Sequence, residues 1–188
     1  MASDFFYFIS SLPLLRFGEK APLTYESFLA SSRDCLSEQE AGVLASLQLC
    51  PERARAVDLP VIEEWQQEET YLRNLLAAQR GRNRKVEASG WQRESSHYSA
   101  LLVKRIEEIM ALPNAWEKEQ AVDFLRWQRL DELNAGHLFD FATVIIYAYR
   151  LLILEKQRLR EEEAGSRFAV ELLKVGLQEA AERRQTVE

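Results

Sequence analysis

The chain has 188 residues, of which 47% are apolar, and it carries a formal net charge of −6. This length suits one domain with its own hydrophobic core, and the acidic balance argues against a general affinity for nucleic acid or anionic lipid. With 7 glycines and 5 prolines, the sequence has few turn residues, whereas residues that favour helices are abundant. We therefore expect an all-α fold, a single irregular helical bundle over residues 1–188.

The expected compartment is the cytoplasm. No basic region or cleavage site typical of a signal peptide opens the sequence. Residues 5–17 are too short for a membrane span, and residues 138–154 contain Asp140 and Arg150. The two cysteines, Cys35 and Cys50, are therefore expected to be reduced thiols packed as small apolar side chains.

The first elements in chain order are short. Residues 5–9 (FFYFI) form either a strand or a first helical turn, and we expect them to be buried. Thr24 has the character of a helix N-cap. Ser37 and Glu40 have the spacing of a capping box, which predicts a further short helix.

The middle of the chain predicts two long helices and a loop between them. Asp58 as an acidic cap, with Pro60 in the first turn, opens a helix that should reach about Gln79. Residues 80–95 are expected to form a flexible basic loop.

Another helix should begin near Ser95 and stop at Pro113. Its inward residues are expected to be Tyr98, Leu101, Leu102, Ile106 and Ile109. Asn114 then offers a cap for a helix that ends in the turn at residues 134–136.

Residues 138–163 predict the central helix of the bundle. Its first half is apolar on every side, which is typical of a helix surrounded by others. The second half is charged and should reach solvent. After Gly165 we expect a separate last helix that turns Phe168, Leu172 and Leu173 inward.

Arg150 is a charged residue within this apolar stretch, and a buried guanidinium needs a partner. Asp123, Asp131 and Asp140 are the candidates. We interpret the pair as an ion pair that fixes helix register, with a charge held at a docking groove as the alternative.

Candidate catalytic and metal sites are weak. His137 and Asp140 share a helix face at i, i+3, but a metal site needs more ligands, and the other histidine is His97. We expect Asp140 to stabilise the start of a helix instead. No phosphate-binding loop or nucleophile motif occurs, so we predict neither an enzyme nor a bound cofactor.

The basic segment with Arg80, Arg82 and Arg84 has two interpretations. Together with Trp91 it has the composition of a nucleic-acid patch. Because the chain as a whole is acidic, we favour docking onto an acidic protein surface and expect no nucleic-acid partner.

Several short motifs are spread over most of the chain. They are residues 7–13 (YFISSLP), 17–19 (FGE), 75–80 (LLAAQR), 126–133 (RWQRLDEL), 136–140 (GHLFD) and 147–155 (YAYRLLILE). As a set they resemble an uncharacterised family encoded beside subunits of V/A-type ATP synthases in bacteria such as chlamydiae, spirochaetes and Bacteroidetes. The helical layout is also loosely similar to the helical subunit that couples the central stalk of those enzymes to the membrane ring, although this chain is much shorter.

The resemblance implies a non-catalytic accessory or stalk component that binds stalk or rotor subunits, in the cytoplasm or at the membrane periphery through the complex. It does not imply ATP hydrolysis or proton conduction by this chain, and we expect no small-molecule substrate and no membrane span. The alternatives are a free-standing cytosolic helical adaptor and an RNA-binding module. Candidate interface or structural residues are Arg80, Arg82, Arg84, Arg126, Trp127, Asp131, His137, Asp140 and Arg150.

Overall fold

The computed structural model describes the backbone of residues 2–50, 58–95 and 97–185, and the side chains of residues 5–50, 58–95 and 97–163. Within these ranges it is an all-α bundle without strands, as the composition predicts. Its helices are α1 (Ala2–Ser11), α2 (Tyr25–Ser32), α3 (Glu38–Ser46), α4 (Pro60–Arg84), α5 (Ala100–Met110), α6 (Ala115–Leu133) and α7 (Phe141–Gln185).

The first half of α7 is the centre of the bundle, so this prediction is confirmed. Its residues from Val144 to Leu154 are largely buried, and α1, α2, α3, α4 and α6 all contact α7. The predicted break at Gly165 is wrong, because α7 continues as one helix to Gln185. A single glycine costs a helix only about 1 kcal/mol, which helix-forming neighbours can offset. The expected burial of Phe168, Leu172 and Leu173 falls outside the described side chains.

A second, smaller core lies where α5 packs against α4 and α6. It is built from Leu72 and Leu76 of α4, Ile106 and Ile109 of α5, and Val122 of α6. The ion-pair cluster described below joins α7 to α4 and α6, the two helices that take part in both cores.

The predicted N-caps of the first helices are confirmed. Thr24 accepts a hydrogen bond from the Ser27 N–H at the start of α2. Ser37 and Glu40 exchange both hydrogen bonds of a capping box at α3. These side chains satisfy backbone donors that have no partner within the helix.

The expected boundaries of α4 are wrong at both ends. Leu59, not Asp58, is the N-cap residue and makes no side-chain cap, although Pro60 does occupy the first turn. At the other end, α4 passes Gln79 and reaches Arg84, so the first part of the expected basic loop is helical. The remainder contains a short 3-10 turn at Ser89–Trp91.

The following helix also starts later than expected. The N-cap of α5 is Ser99, and its inward residues Ile106 and Ile109 are buried as predicted. Tyr98 precedes the helix and Leu101 lies on its outer side, so both are exposed rather than inward. Asn114 caps α6 as predicted, by accepting from the Glu117 N–H at 2.7 Å.

The N-terminal aromatic run forms α1, which resolves the choice between strand and helix. Its burial is only partial, because Phe8 is buried while Tyr7 is 73% exposed. A helix turns neighbouring residues to different sides, so a continuous aromatic run cannot all face the core. None of the described helices has the length and apolar character to cross a bilayer.

Candidate functional site

An ion-pair cluster links α4, α6 and α7 inside the bundle. The guanidinium of Arg126 donates to both carboxylate oxygens of Glu69, at 2.8 and 2.7 Å, and to Asp123 at 2.8 Å. Asp123 also accepts from Lys156 at 2.8 Å and from Arg160. The cluster therefore joins three helices, and its Glu69–Arg126 pair spans 57 positions in sequence.

The centre of this cluster is buried. Arg126, Glu69 and Asp123 are almost fully buried. Burial by itself acts to lower the pKa of Arg126, but the charge and hydrogen bonds of Glu69 raise it above the ordinary arginine value. Breaking such a pair leaves a buried charge without compensation, so the cluster fixes the helix positions.

The space beside the cluster excludes a substrate of ordinary size. The adjoining cavity has a volume of about 30 Å³ and is lined by residues that include Trp65, Leu72 and Arg126. That volume holds about one water molecule. Arg126 is therefore buried inside the bundle and is not exposed for docking.

Arg150 pairs with Asp131, one of its three candidate partners, across the α6–α7 contact. Its guanidinium also lies over the ring of Trp127, 5.5 Å from the ring centroid. Trp127 itself is buried. Arg150 therefore connects two of the resemblance motifs, residues 126–133 and 147–155.

His137 and Asp140 form a pair at the start of α7, with Nδ1 of His137 2.6 Å from Oδ2 of Asp140. Asp140 also accepts from the Thr143 N–H at 2.9 Å, which is the contact of an N-cap. Although partial burial acts to raise it, the hydrogen bonds from His137 and Thr143 lower the pKa of Asp140 below its ordinary value. Asp140 therefore lies at the start of α7, where the sequence analysis placed it.

Exposed apolar side chains also lie near the start of α7. Phe6 of α1 packs against Phe139, with ring centroids 4.7 Å apart, and against Tyr7 at 5.6 Å. Tyr7 and Leu138 are both more than 70% exposed. We call Phe6, Tyr7, Leu138 and Phe139 the aromatic patch. Exposed apolar surface of this kind is typical of a protein contact.

The arginines of the expected basic loop lie at the end of α4. Arg80 makes a long ion pair with Glu119 at 3.5 Å, and Arg82 makes one with Glu107 at 3.7 Å. Arg84 ends the helix and is exposed. The structure brings these arginines to one end of α4 but places the other candidates elsewhere in the bundle, namely Arg126, Trp127, Asp131, His137, Asp140 and Arg150.

A pocket of about 330 Å³ opens beside this end of α4, and we call it the basic pocket. It is lined by Thr70, Arg73, Asn74, Leu76, Ala77, Arg80, Trp91 and Arg93. Three of these are arginines, and none of these lining residues is acidic. Trp91 is 68% exposed at the edge.

The cysteines are free thiols, as expected. Cys50 contacts the ion-pair cluster, because its sulfur lies 3.1 Å from a carboxylate oxygen of Glu69. Burial, together with the Glu69 charge, raises the pKa of the Cys50 thiol to about 11. Over the described residues, no three histidine, cysteine, aspartate or glutamate side chains form a group suited to a metal ion.

The sequence analysis did not predict most of these side-chain contacts. Glu69 pairs with a residue 57 positions away, and no local spacing encodes that contact. The only signal for the aromatic patch was the density of aromatic residues in 5–9, which suggested burial instead.

No family model, curated protein or solved structure matches this chain.

Proposed function

We propose that the chain is a non-catalytic accessory or stalk component of a V/A-type ATP synthase that binds other subunits of that enzyme. The resemblance motifs supply the identity of the complex. The aromatic patch carries the proposal, because Tyr7, Leu138 and Phe139 belong to two of those motifs and leave large apolar side chains exposed.

Exposure of motif residues favours a role in binding. Burial explains a core residue, whereas packing within the chain leaves most of the Tyr7 and Leu138 side chains exposed to solvent. Aromatic residues are also enriched among those that dominate protein interfaces. We assign the aromatic patch to contact with another polypeptide of the ATP synthase.

Rigidity supports a stalk position. The ion-pair cluster ties α7 to α4 and α6, and α7 has 45 residues. At roughly 1.5 Å per residue, a helix of that length spans about 70 Å. A stiff body with one long helix is suited to connecting subunits that lie apart.

Affinity purification from native membranes tests the proposal. The tagged chain is expressed in its own host, the membranes are solubilised in mild detergent, and co-purifying proteins are identified by mass spectrometry. Leu138→Ser is the test variant. Leu159→Ser is the matched control, because Leu159 is an exposed leucine of α7 outside the aromatic patch.

The wild-type chain and Leu159→Ser should recover ATP synthase subunits, and Leu138→Ser should recover much less. Recovery of other proteins without any part of the ATP synthase would instead support the free-standing adaptor. Equal recovery by all three chains would remove the aromatic patch from the proposal.

A further inference from the structure

The geometry points to the basic pocket as a docking site for an acidic segment of a partner protein. Carboxylates of the segment would pair with Arg73, Arg80 and Arg93, and a neighbouring apolar side chain would pack on Trp91. The inference rests on the proposed function, which supplies the complex, and adds the chemistry of the partner segment. It concerns a surface separate from the aromatic patch.

The pocket is held in shape by backbone contacts. Lys85 adopts a left-handed conformation, with φ 55°, and the Val86 N–H then returns to the carbonyl of Gly81 at 3.0 Å. A Cβ at Gly81 would lie 2.8 Å from the Val86 carbonyl oxygen, so only glycine allows the following segment to approach α4 this closely.

A second clamp fixes the other end of the segment. The Asn74 side chain donates to the Arg93 carbonyl at 2.7 Å and accepts from the Arg93 N–H at 2.8 Å. The stretch that carries Trp91 is therefore anchored on both sides. A site that is already ordered loses less entropy when a partner binds.

The chemistry of the lining selects for carboxylates. Guanidinium groups bind carboxylates through paired hydrogen bonds, and three arginines line this pocket together with apolar residues such as Leu76 and Ala77. Arg80 already faces a carboxylate of Glu119, but at 3.5 Å. That long, partly exposed pair is weak, so a partner's carboxylate can replace it.

Size and overall charge favour a protein segment over nucleic acid. The basic pocket has room for one or a few side chains rather than for a continuous strand. A nucleic acid would extend past it over a chain whose net charge is −6, and long polyanions need neutralising charge along their length. Tryptophan and arginine are also the residues that most often dominate protein interfaces.

Fluorescence anisotropy with the purified full chain tests this inference without any other part of the ATP synthase. The probe is a short fluorescein-labelled peptide of glutamate and leucine, compared with the same peptide carrying glutamine in place of glutamate. Oligothymidylate is the nucleic-acid arm. Arg93→Gln and Trp91→Ala are the test variants, and both leave the backbone clamp by Asn74 intact. Arg158→Gln on α7 is the control.

The glutamate peptide should bind in a salt-dependent manner, and each test variant should weaken binding by about tenfold. The glutamine peptide should not bind, and Arg158→Gln should bind as the wild type does. The inference is overturned if the glutamate peptide does not bind, if the test variants bind it normally, or if oligothymidylate binds more tightly through the same residues. Because this assay contains no ATP synthase, a negative result leaves the proposed function standing. A failure to recover ATP synthase subunits would likewise leave peptide binding at the basic pocket standing.

Discussion

Glu155 on α7 accepts a hydrogen bond, 2.5 Å long, from the backbone N–H of Tyr25, the first residue of α2. The two residues are 130 positions apart. A carboxylate at this place satisfies a helix donor that lacks an internal partner and meets the positive end of the helix dipole. Burial, and after it the charge of Glu155, raises the pKa of the Tyr25 hydroxyl. The central helix thus caps α2 from outside.

Replacing Glu155 by alanine should lower the free energy of unfolding by about 1–2 kcal/mol, because the Tyr25 N–H loses its acceptor. Urea denaturation followed by circular dichroism measures the change. Glu161→Ala, at an exposed position of the same helix, should stay within about 0.5 kcal/mol of the wild type. Equal effects of the two variants would show that the cap contributes nothing.

Removing the cation at the middle of the ion-pair cluster should be severe. Arg126→Met leaves Glu69 without its bidentate partner in a buried position, which we expect to cost about 3–5 kcal/mol of unfolding free energy. Arg158→Met is the matched control, since it breaks the exposed pair with Glu162 and should cost less than about 1 kcal/mol. Comparable urea midpoints for both variants would contradict a structural role for the cluster.

Cys50 should be a slow nucleophile in the folded chain. Since its pKa rises to about 11 from the ordinary 9.0, its thiolate fraction at neutral pH falls about a hundredfold. In the Cys35→Ser background, alkylation by iodoacetamide should be slow and should accelerate as the pH rises towards 11. The chain unfolded in urea serves as the control, and a folded chain that reacts equally fast would contradict the burial of this thiol.

The raised pKa of Cys50 also makes the stability of the folded chain depend on pH. The folded-state pKa of Cys50 lies above the unfolded one, so the neutral thiol favours the folded state below about pH 9. This contribution should be lost as the pH rises from there towards the folded pKa.

Asp140 should behave in the opposite sense. Its pKa is lowered in the folded state, so its charge stabilises the protein above the ordinary aspartate pKa, and this contribution is lost as the pH falls through the folded value. Asp140→Asn keeps an N-cap acceptor but removes the charge. The stability difference between wild type and variant should therefore be present at neutral pH and shrink in acid. A difference that does not change with pH would contradict the assignment.

Gly81→Ala should displace the segment that follows α4. Alanine favours a helix by about 1 kcal/mol over glycine, but here the new Cβ would meet the Val86 carbonyl oxygen at 2.8 Å and the Ala88 Cβ at 2.9 Å. Hydrogen exchange of the Val86 amide should accelerate, and peptide binding at the basic pocket should weaken. Gly42→Ala in α3, where nothing lies within 4 Å, should stabilise the chain instead. Slow Val86 exchange in Gly81→Ala would contradict the close approach.

Local signals in the sequence predicted the fold well. The apolar first half of α7 and the caps at Thr24, Ser37 and Asn114 follow from periodicity and short-range hydrogen bonding, and both are visible in sequence. The sequence left three candidate partners for Arg150, because packing sets the helix register across a hairpin. In the structure the partner is Asp131.

The errors arose where packing decides the outcome. The sequence predicts a loop over residues 80–95, yet α4 continues to Arg84, and the segment that follows packs closely against Gly81. The ion-pair cluster joins Glu69 to Arg126 and Asp123 to Lys156, and such separations leave no periodic trace. The basic pocket depends on Asn74 clamping Arg93, a contact that sequence alone does not indicate.

Quantitative mass spectrometry of the ATP synthase itself tests the central claim most directly. The enzyme is purified from the native host through a tag on one of its catalytic subunits, washed with salt, and the amount of this chain is measured relative to the tagged protein. The proposed function predicts that the chain is present at a fixed ratio in independent preparations. Its absence, or a level no higher than in a purification from an untagged strain, would contradict the account.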